Sequence, residues 1–175
     1  MPNSFDRIIL HTIFGTKYRR KVIGPEVEGG LYHVFKVELN QQGAKLIRFG
    51  IVADHVHLVH SLPRTATVAS LVKSVKAVSS KWLKHQGYAY RNFAWQIGYS
   101  TFSADYRKLD GLKRYVDNQK VHHGYLTAAE GQSYRAEFLQ FLKAYDLLHL
   151  ANEEHLFPEP PPAPEPPPSS GGAAA

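Results

Sequence analysis

The sequence predicts an α+β fold built on a small antiparallel sheet, and two observations lead to this prediction. Segments with strand-like alternation are interleaved with segments of helical periodicity, in the order βαββαβ followed by further helices. The chain of 175 residues is long enough for one ordinary domain with its own core, and it has no internal repeat. The order βαββαβ is that of the ferredoxin-like sheet, which RNA-recognition domains also use.

The first half of the domain is predicted to contain three strands and one helix. Residues 5–14 predict the first strand, and Pro25 suits the first turn of a helix that Gly43 ends. Residues 45–53 predict a second strand. This strand leads closely into a third, which Pro63 ends.

The second half is predicted to continue with a helix, a strand and two more helices. Thr67 suits the N-cap of the second helix, and the aromatic-rich residues 93–102 predict a fourth strand. A helix is expected over residues 109–123, with Gly124 placed to end it. A last amphipathic helix carries Phe138, Phe141, Leu142 and Tyr145. The first two helices would cover one face of the sheet, which leaves the other face for a site beneath the C-terminal helix.

The C-terminal composition differs from that of the predicted domain. From about Phe157 the chain consists mainly of Pro, Glu, Ser, Gly and Ala, which cannot build a core. We therefore expect a single domain over residues 1–156. A disordered Pro- and Ala-rich tail is expected over residues 157–175, either as a natural linker or as an expression remnant.

The composition narrows the functional classes. Cysteine is absent, which excludes disulfides and a thiolate zinc site. The formal net charge is +6, and a basic protein attracts polyanions such as nucleic acid, although many ordinary proteins are equally basic. The sequence shows no secretory leader pattern and no apolar stretch of membrane-spanning length, so we expect a soluble cytoplasmic protein with no membrane partner.

The most informative motif is His55-Val56-His57, which lies in the alternating run of the third strand. Residues i and i+2 of a strand point to the same face, so the two imidazoles are expected side by side, about 7 Å apart at their roots. Such a pair can bind a divalent metal, although His-x-His in a strand is more often incidental. His60 falls on the opposite face as a structural histidine, and Asp54 is expected to orient a turn or a neighbouring group.

Tyr115 and Gln119 form a second pair, one turn apart on the same face of a predicted helix. Gln119 offers an oxygen, and a mixed set of nitrogen and oxygen ligands suits magnesium or manganese better than a structural zinc. Tyrosine is a weak nucleophile until a metal polarises the phosphoryl group that it attacks. Taken alone, a Tyr-x-x-x-Gln pair usually reflects packing or surface, and His122-His123 is better explained as a helix-end pair.

Together, these motifs resemble the single-tyrosine transposases of the HUH class and the related REP-associated tyrosine transposases. The name HUH refers to two histidines that flank a hydrophobic residue. The resemblance extends over residues 5–148 and is carried by four stretches. These are Thr16-Lys17-Tyr18-Arg19-Arg20, Asp54-His55-Val56-His57-Leu58 with Ser61-Leu62-Pro63, Phe93-Ala94-Trp95-Gln96 with Gly98-Tyr99 and Phe102-Ser103, and Tyr115-Val116-Asp117-Asn118-Gln119 with His122-His123.

This resemblance implies a DNA transposase. Tyr115 would be the nucleophile, and His55, His57 and Gln119 would bind a divalent metal, Mg²⁺ or Mn²⁺. The substrate would be single-stranded DNA beside an imperfect hairpin, cleaved to a 5′-phosphotyrosine and a free 3′-hydroxyl that can attack another such link. The resemblance also implies a homodimer, associated with the nucleoid, in which the tyrosine helix of one subunit can complete the site of the other.

Basic residues supply candidate DNA contacts. Lys17, Arg19 and Arg20 follow the first strand and are expected to hold backbone phosphate. Lys73 and Lys76 of the second helix are further candidates. Two more lysines of this helix are Lys81 and Lys84. Unpaired bases could stack on Tyr18, Tyr88, Tyr90 or Tyr99.

Two other functions stay open at this point. A catalytically inactive module that binds nucleic-acid hairpins would share the fold, but the aromatic signature of RNA-recognition domains is absent from the sequence. A small phosphoesterase with two histidines on a ferredoxin-like sheet would need two separate His-x-Ser or His-x-Thr motifs, and the sequence has none.

Overall fold

The computed structural model describes residues 5–124 and 133–161, which form an α+β architecture. The strands are β1 (Ile9–Gly15), β2 (Leu46–Val52), β3 (His55–Ser61) and β4 (Ser100–Ser103). The helices are α1 (Glu28–Gln41), α2 (Val68–Lys84), α3 (Leu109–Asp117), α4 (Gln119–His122), α5 (Tyr134–Ala144) and α6 (Glu153–Leu156). The strands pair antiparallel in the order β2-β3-β1-β4, which confirms the predicted ferredoxin-like fold with added C-terminal helices.

The main hydrophobic core lies between one face of the sheet and the helices α1 and α2. Leu31 and Phe35 of α1 and Leu71 of α2 are fully buried because their helical spacing places them on the inner faces. Thr67 caps α2 as predicted, since its hydroxyl accepts a hydrogen bond from the amide of Ser70. The predicted cover of one face by the first two helices is confirmed, and α3 and α5 lie on the other face.

The fourth strand is shorter than predicted. It covers Ser100–Ser103 rather than residues 93–102. Trp95 turns its ring into the main core, where its indole nitrogen donates a hydrogen bond to Ser79 Oγ at 2.9 Å. Gly98 then takes a left-handed φ of 86°, which interrupts the extended backbone before the strand begins.

The helix predicted over residues 109–123 is divided at Asn118 into α3 and α4. The amide of Asn118 still bonds to the Arg114 and Tyr115 carbonyls, so the two helices follow each other without a loop. Tyr115 therefore belongs to α3 and Gln119 begins α4. Both side chains remain on the side of the helices that faces the sheet, as their spacing predicts.

Phe157, the first residue of the predicted tail, packs on α5. The ring of Phe157 contacts Tyr134 and Phe138, with centroids 6.2 and 6.1 Å apart. The predicted tail lies outside the described residues from position 162 onward. Within residues 5–124 and 133–161, the structure contains no helix of the length and apolarity that crossing a bilayer requires.

Gly50 of β2 allows α3 and α4 to approach the sheet closely. A Cβ added at this position would lie 2.6 Å from the Val116 carbonyl oxygen and 3.1 Å from Cγ of Gln119. A contact of this length with backbone can be relieved only if the helix moves. Because Gly50 has no side chain, α3 and α4 can lie close enough to the sheet to bring Tyr115 and Gln119 next to it.

We expect Gly50→Ala to lower the free energy of unfolding by about 1–3 kcal/mol, because an overpacked contact must be relieved by backbone movement. Chemical denaturation measures this change. The matched control is Gly29→Ala in the first turn of α1, where nothing lies within 4 Å of the added Cβ, so no loss of stability is expected. Equal stability of the two variants would contradict the close approach.

Candidate metal centre

Strand β3 places two histidines side by side on the face of the sheet opposite the main core. His55 and His57 are both fully buried, and their ring centroids lie 5.0 Å apart, which confirms the predicted same-face geometry. Their Nε2 atoms have no hydrogen-bond partner among the described residues. Buried polar atoms are rarely left without a partner, so these two nitrogens indicate a ligand site.

Glu137 of α5 completes a cluster with the two histidines. Its Oε2 lies 3.4 Å from His55 Nε2 and 3.6 Å from His57 Nε2. The three potential ligand atoms lie within 4.8 Å of one another, and all three side chains are buried. Two imidazole nitrogens and a carboxylate oxygen are donors that divalent metals accept, so these residues fit such an ion. Glu137 is not among the ligands predicted from the sequence.

Burial and mutual attraction set the protonation of this cluster. Burial lowers the pKa of His57 to about 4, and the attraction of Glu137 offsets only part of this effect. Burial alone would raise the pKa of Glu137, but its interactions with His55 and His57 outweigh burial and lower that pKa to about 2. At neutral pH the cluster therefore combines a neutral imidazole at His57 with an ionised carboxylate, as metal binding requires.

Asp54 orients His55 through the other ring nitrogen. His55 Nδ1 lies 2.7 Å from Asp54 Oδ1, and an ionised carboxylate can only accept, so Nδ1 carries the proton. Arg19 holds the same carboxylate, with Nη2 3.0 Å from Oδ2, and its guanidinium lies 3.2 Å from the ring centre of Tyr134. Burial raises the pKa of Asp54, but the hydrogen bond from His55 and the charge of Arg19 outweigh it and lower that pKa. The expected orienting role of Asp54 is confirmed.

Tyr115 and Gln119 meet the carboxylate of Glu137 from the other side. The Tyr115 hydroxyl donates a hydrogen bond to Glu137 Oε1, and Gln119 Nε2 donates to the same oxygen at 3.0 Å. His123 Nε2 lies 3.1 Å from both Gln119 Oε1 and Glu137 Oε2. The predicted nucleophile and the predicted ligands thus gather around one carboxylate. The side-chain oxygen of Gln119, predicted as a metal ligand, faces His123 here.

The residues predicted to contact DNA differ in their exposure to solvent. Lys17 and Arg20, on the turn after β1, and Lys73 on α2 are exposed. Arg19 instead points inward, because its guanidinium neutralises the buried carboxylate of Asp54. The structure therefore assigns Arg19 a partner inside the protein where the sequence predicts a phosphate.

Lys76 connects α2 to the loop before β4. Its ammonium donates hydrogen bonds to the backbone carbonyls of Gln96 and Gly98, both at 2.6 Å, and burial lowers its pKa to about 8. Lys76 is thus also engaged within the protein. The loop forms one rim of a groove of about 610 Å³, whose lining includes Lys17, Tyr18, Tyr99, Tyr134 and Leu156. Tyr134 also contacts His55, with ring centroids 4.8 Å apart, so the groove lies beside the histidine cluster.

Glu137 and His123 belong to this cluster but are not predicted as functional from the sequence. Polar residues of an amphipathic helix are expected to face solvent, and His123 has the pattern of a helix end. One signal was present: Glu137 lies one turn before Phe141, within the apolar stripe of its helix. A carboxylate in an apolar stripe must find partners when it is buried.

The fold and the cluster define a class of protein, a ferredoxin-like domain in which a His-x-His candidate metal centre faces a tyrosine. The chain belongs to the IS200-like transposase family, because the sequence pattern of the family described as "Transposase IS200 like" matches residues 4–119. The resemblance inferred from the motifs is therefore confirmed.

Individual proteins are also similar to this chain. The ISDra2 transposase TnpA of Deinococcus radiodurans is 32% identical over 71 residues, which are 41% of this chain and about half, 51%, of the length of that relative. A candidate transposase from Deinococcus radiodurans R1 has a TM-score of 0.52 and 23% identity, over 68% of this chain and 95% of that chain. A REP-associated tyrosine transposase bound to a REP hairpin has a TM-score of 0.55 and 13% identity, over 72% of this chain and 74% of that chain. The two solved structures share the fold of this chain.

Acid is expected to destabilise the protein through the buried cluster. The pKa of His57 is lowered from 6.5 to about 4, so between these values the folded state binds fewer protons than the unfolded chain. The free energy of unfolding should therefore fall as the pH decreases from 6.5 to 4, by on the order of 3 kcal/mol from this group. Urea denaturation at several pH values measures the loss. His57→Gln should lose less stability over this range, and an equal loss would contradict the assignment to His57.

Proposed function

We propose that this protein is a single-tyrosine HUH transposase, which cleaves and rejoins single-stranded DNA with Tyr115 as its nucleophile. The proposal rests on one observation: the Tyr115 hydroxyl meets Glu137, and this carboxylate also faces the Nε2 atoms of His55 and His57, which have no hydrogen bond within the described part of the chain. Phosphoryl transfer to tyrosine needs such a hydroxyl beside a set of metal donors. Membership of the IS200-like transposase family supports the same reaction.

In the proposed reaction, Oη of Tyr115 attacks a backbone phosphorus of the DNA. The Oη–P bond forms while the bond from phosphorus to the 3′-oxygen breaks, and the proton lost by the phenol balances the proton gained by the 3′-oxygen. Glu137 accepts the hydrogen bond of the phenol and so orients Tyr115. A 3′-hydroxyl can later reverse the reaction at the phosphotyrosine, which conserves the bond energy, so that no nucleotide cofactor is needed.

A divalent metal, Mg²⁺ or Mn²⁺, is the proposed cofactor. His55, His57 and Glu137 would hold it, with Gln119 as the oxygen donor predicted from the sequence. Nitrogen and oxygen donors without thiolate suit these two ions. When bound, such an ion polarises the phosphoryl oxygen and makes a weak nucleophile sufficient.

The proposed substrate is single-stranded DNA beside a hairpin. A REP-associated tyrosine transposase with the same fold is bound to a REP hairpin, which supports this choice. The groove beside the cluster combines Lys17 with the rings of Tyr18 and Tyr99, and such groups suit a phosphate backbone and unpaired bases. Lys17, Arg20 and Lys73 remain the proposed phosphate contacts. A cytoplasmic, nucleoid-associated location would follow from this substrate.

A homodimer is also part of the proposal, as the resemblance implies. The ring of Tyr115 lies 6.0 Å from that of His57 in the same chain. A dimer of this arrangement would contain two sites, each with its own nucleophile and its own ligands. Sedimentation of the protein with and without hairpin DNA measures the oligomeric state.

Tyr115→Phe is expected to abolish covalent attachment of the protein to DNA, because it removes only the attacking oxygen. The measurement is a denaturing gel of protein with labelled single-stranded DNA from its own genomic flanks, with Mn²⁺ or Mg²⁺. The native protein should give a labelled band that chelator prevents. Tyr145→Phe is the matched control, since Tyr145 donates to the Ser103 carbonyl on the same face of the sheet and has no contact with Glu137 among the bonds of the described residues.

The alternative function predicts a different result in the same experiment. A hairpin-binding module would shift hairpin DNA on a native gel, equally in the native protein and in Tyr115→Phe, and would give no covalent band. That pattern would contradict the strand-transfer reaction while leaving DNA binding in place.

Glu137→Gln is expected to weaken Mn²⁺ binding at least about tenfold, about 1.4 kcal/mol, because it removes the negative charge of a ligand and keeps its shape. Calorimetric titration of the metal measures the affinity. Gln119→Met tests the ligand predicted from the sequence and should change the affinity less. The reverse order of the two effects would show that Gln119 supplies the oxygen ligand.

A further inference from the structure

The second ring nitrogen of His57 has a partner that the reaction above does not use. His57 Nδ1 lies 2.9 Å from Nε2 of His11, and the two rings are stacked with centroids 5.1 Å apart and an angle of 27°. His11 stands on β1, which pairs with β3, and is 2% exposed. Within the described residues, no other hydrogen bond reaches His57 Nδ1.

The direction of this hydrogen bond follows from what a metal ligand requires. A metal binds the imidazole nitrogen that carries no proton, so His57 must hold its proton on Nδ1 if Nε2 is to face the metal. The atom beside Nδ1 is then an acceptor, and that atom is Nε2 of His11. His55 has the same arrangement, since its Nδ1 donates to Asp54 and its Nε2 faces Glu137.

We propose that His11 is a positioning residue, which accepts the hydrogen bond of His57 Nδ1 and thereby fixes the tautomer and ring orientation of this metal ligand. The proposal rests on the proposed function, because it assumes that His57 Nε2 binds the ion. The two ligand histidines are then oriented by different chemistry. A carboxylate serves His55, whereas an imidazole serves His57.

The surroundings of His11 hold its ring in place. Phe141 of α5 meets it edge to face with centroids 5.2 Å apart, and Phe102 of β4 lies 6.5 Å away. Tyr115 also meets it edge to face at 6.4 Å. A ring enclosed in this way has little freedom to turn, so its nitrogen stays directed at His57. If His11 served only to fill space, a phenylalanine of similar shape would replace it without effect on His57.

The test compares His11→Phe, which keeps a ring but offers no acceptor, with His11→Gln, whose amide oxygen can replace Nε2. Nitrogen-15 NMR of the metal-free protein reports which nitrogen of His57 carries the proton. The native protein and His11→Gln should be protonated at Nδ1, and His11→Phe should move the proton to Nε2. The affinity for Mn²⁺ should fall about 10- to 100-fold in His11→Phe and recover in His11→Gln.

His60→Gln is the matched control, because His60 is a buried histidine of the same strand on the opposite face, where it pairs with Thr12. It should leave the His57 tautomer and the Mn²⁺ affinity unchanged. The proposal is overturned if native His57 is protonated at Nε2, a result that needs no variant to fold. It is also overturned if folded His11→Phe binds Mn²⁺ within twofold of the native protein. Native protein that binds no Mn²⁺ would instead overturn the metal site of the proposed function, and the tautomer comparison would still decide the role of His11.

Discussion

A buried carboxylate stays ionised only where other groups compensate its charge, and the arrangement around Glu137 follows from this constraint. Strand β3 supplies two imidazoles, and Tyr115 and Gln119 supply a phenol and an amide. These partners lie on β3, α3 and α4, and Glu137 itself lies on α5, so the carboxylate is satisfied only when the sheet and these three helices are in place.

The two faces of the sheet differ: one packs against the main hydrophobic core, and the other carries the candidate metal centre. On the face toward α1 and α2, polar groups are satisfied internally: His60 Nδ1 donates to the Ser61 carbonyl, and its Nε2 accepts from the hydroxyl of Thr12. The predicted structural role of His60 is thereby confirmed. On the opposite face of the same strand, one nitrogen each of His55 and His57 has no hydrogen bond to any residue that the structure describes. Histidines of one strand thus differ in their hydrogen bonding because different elements pack against its two faces.

The fold and half of the candidate site could be predicted, because both depend on local periodicity. A period of two residues places His55 and His57 together, and a period of 3.6 residues places Tyr115 near Gln119. Glu137 could not be placed in this way, because no local pattern tells which distant element lies over the sheet. The inward turn of Arg19 was equally hidden, since its partner Asp54 lies far along the chain and a basic turn has the same sequence whether it faces solvent or a buried acid.

The difference between local patterns and contacts with distant elements also explains the errors in the predicted element boundaries. Alternating aromatic residues predict a long fourth strand, but Trp95 forms only an isolated bridge to Thr16 while its indole bonds to Ser79, and Gly98 interrupts the extended backbone before Ser100. Helical spacing predicts one helix through Asn118, where the structure has two. In both cases a tertiary contact or a local break in the backbone overrides the periodic pattern of the sequence. Tyr115 and Gln119 nevertheless face the sheet, as their spacing predicts.

Strand β3 is buried on both faces, and its two faces carry incompatible side chains. Val56 and Leu58 lie in the apolar layer, whereas His55 and His57 alternate with them on the other side. A slip of one residue against β1 would move the imidazoles into the hydrocarbon core and bring the aliphatic side chains to Glu137. Misregistered pairing is therefore penalised on both surfaces at once.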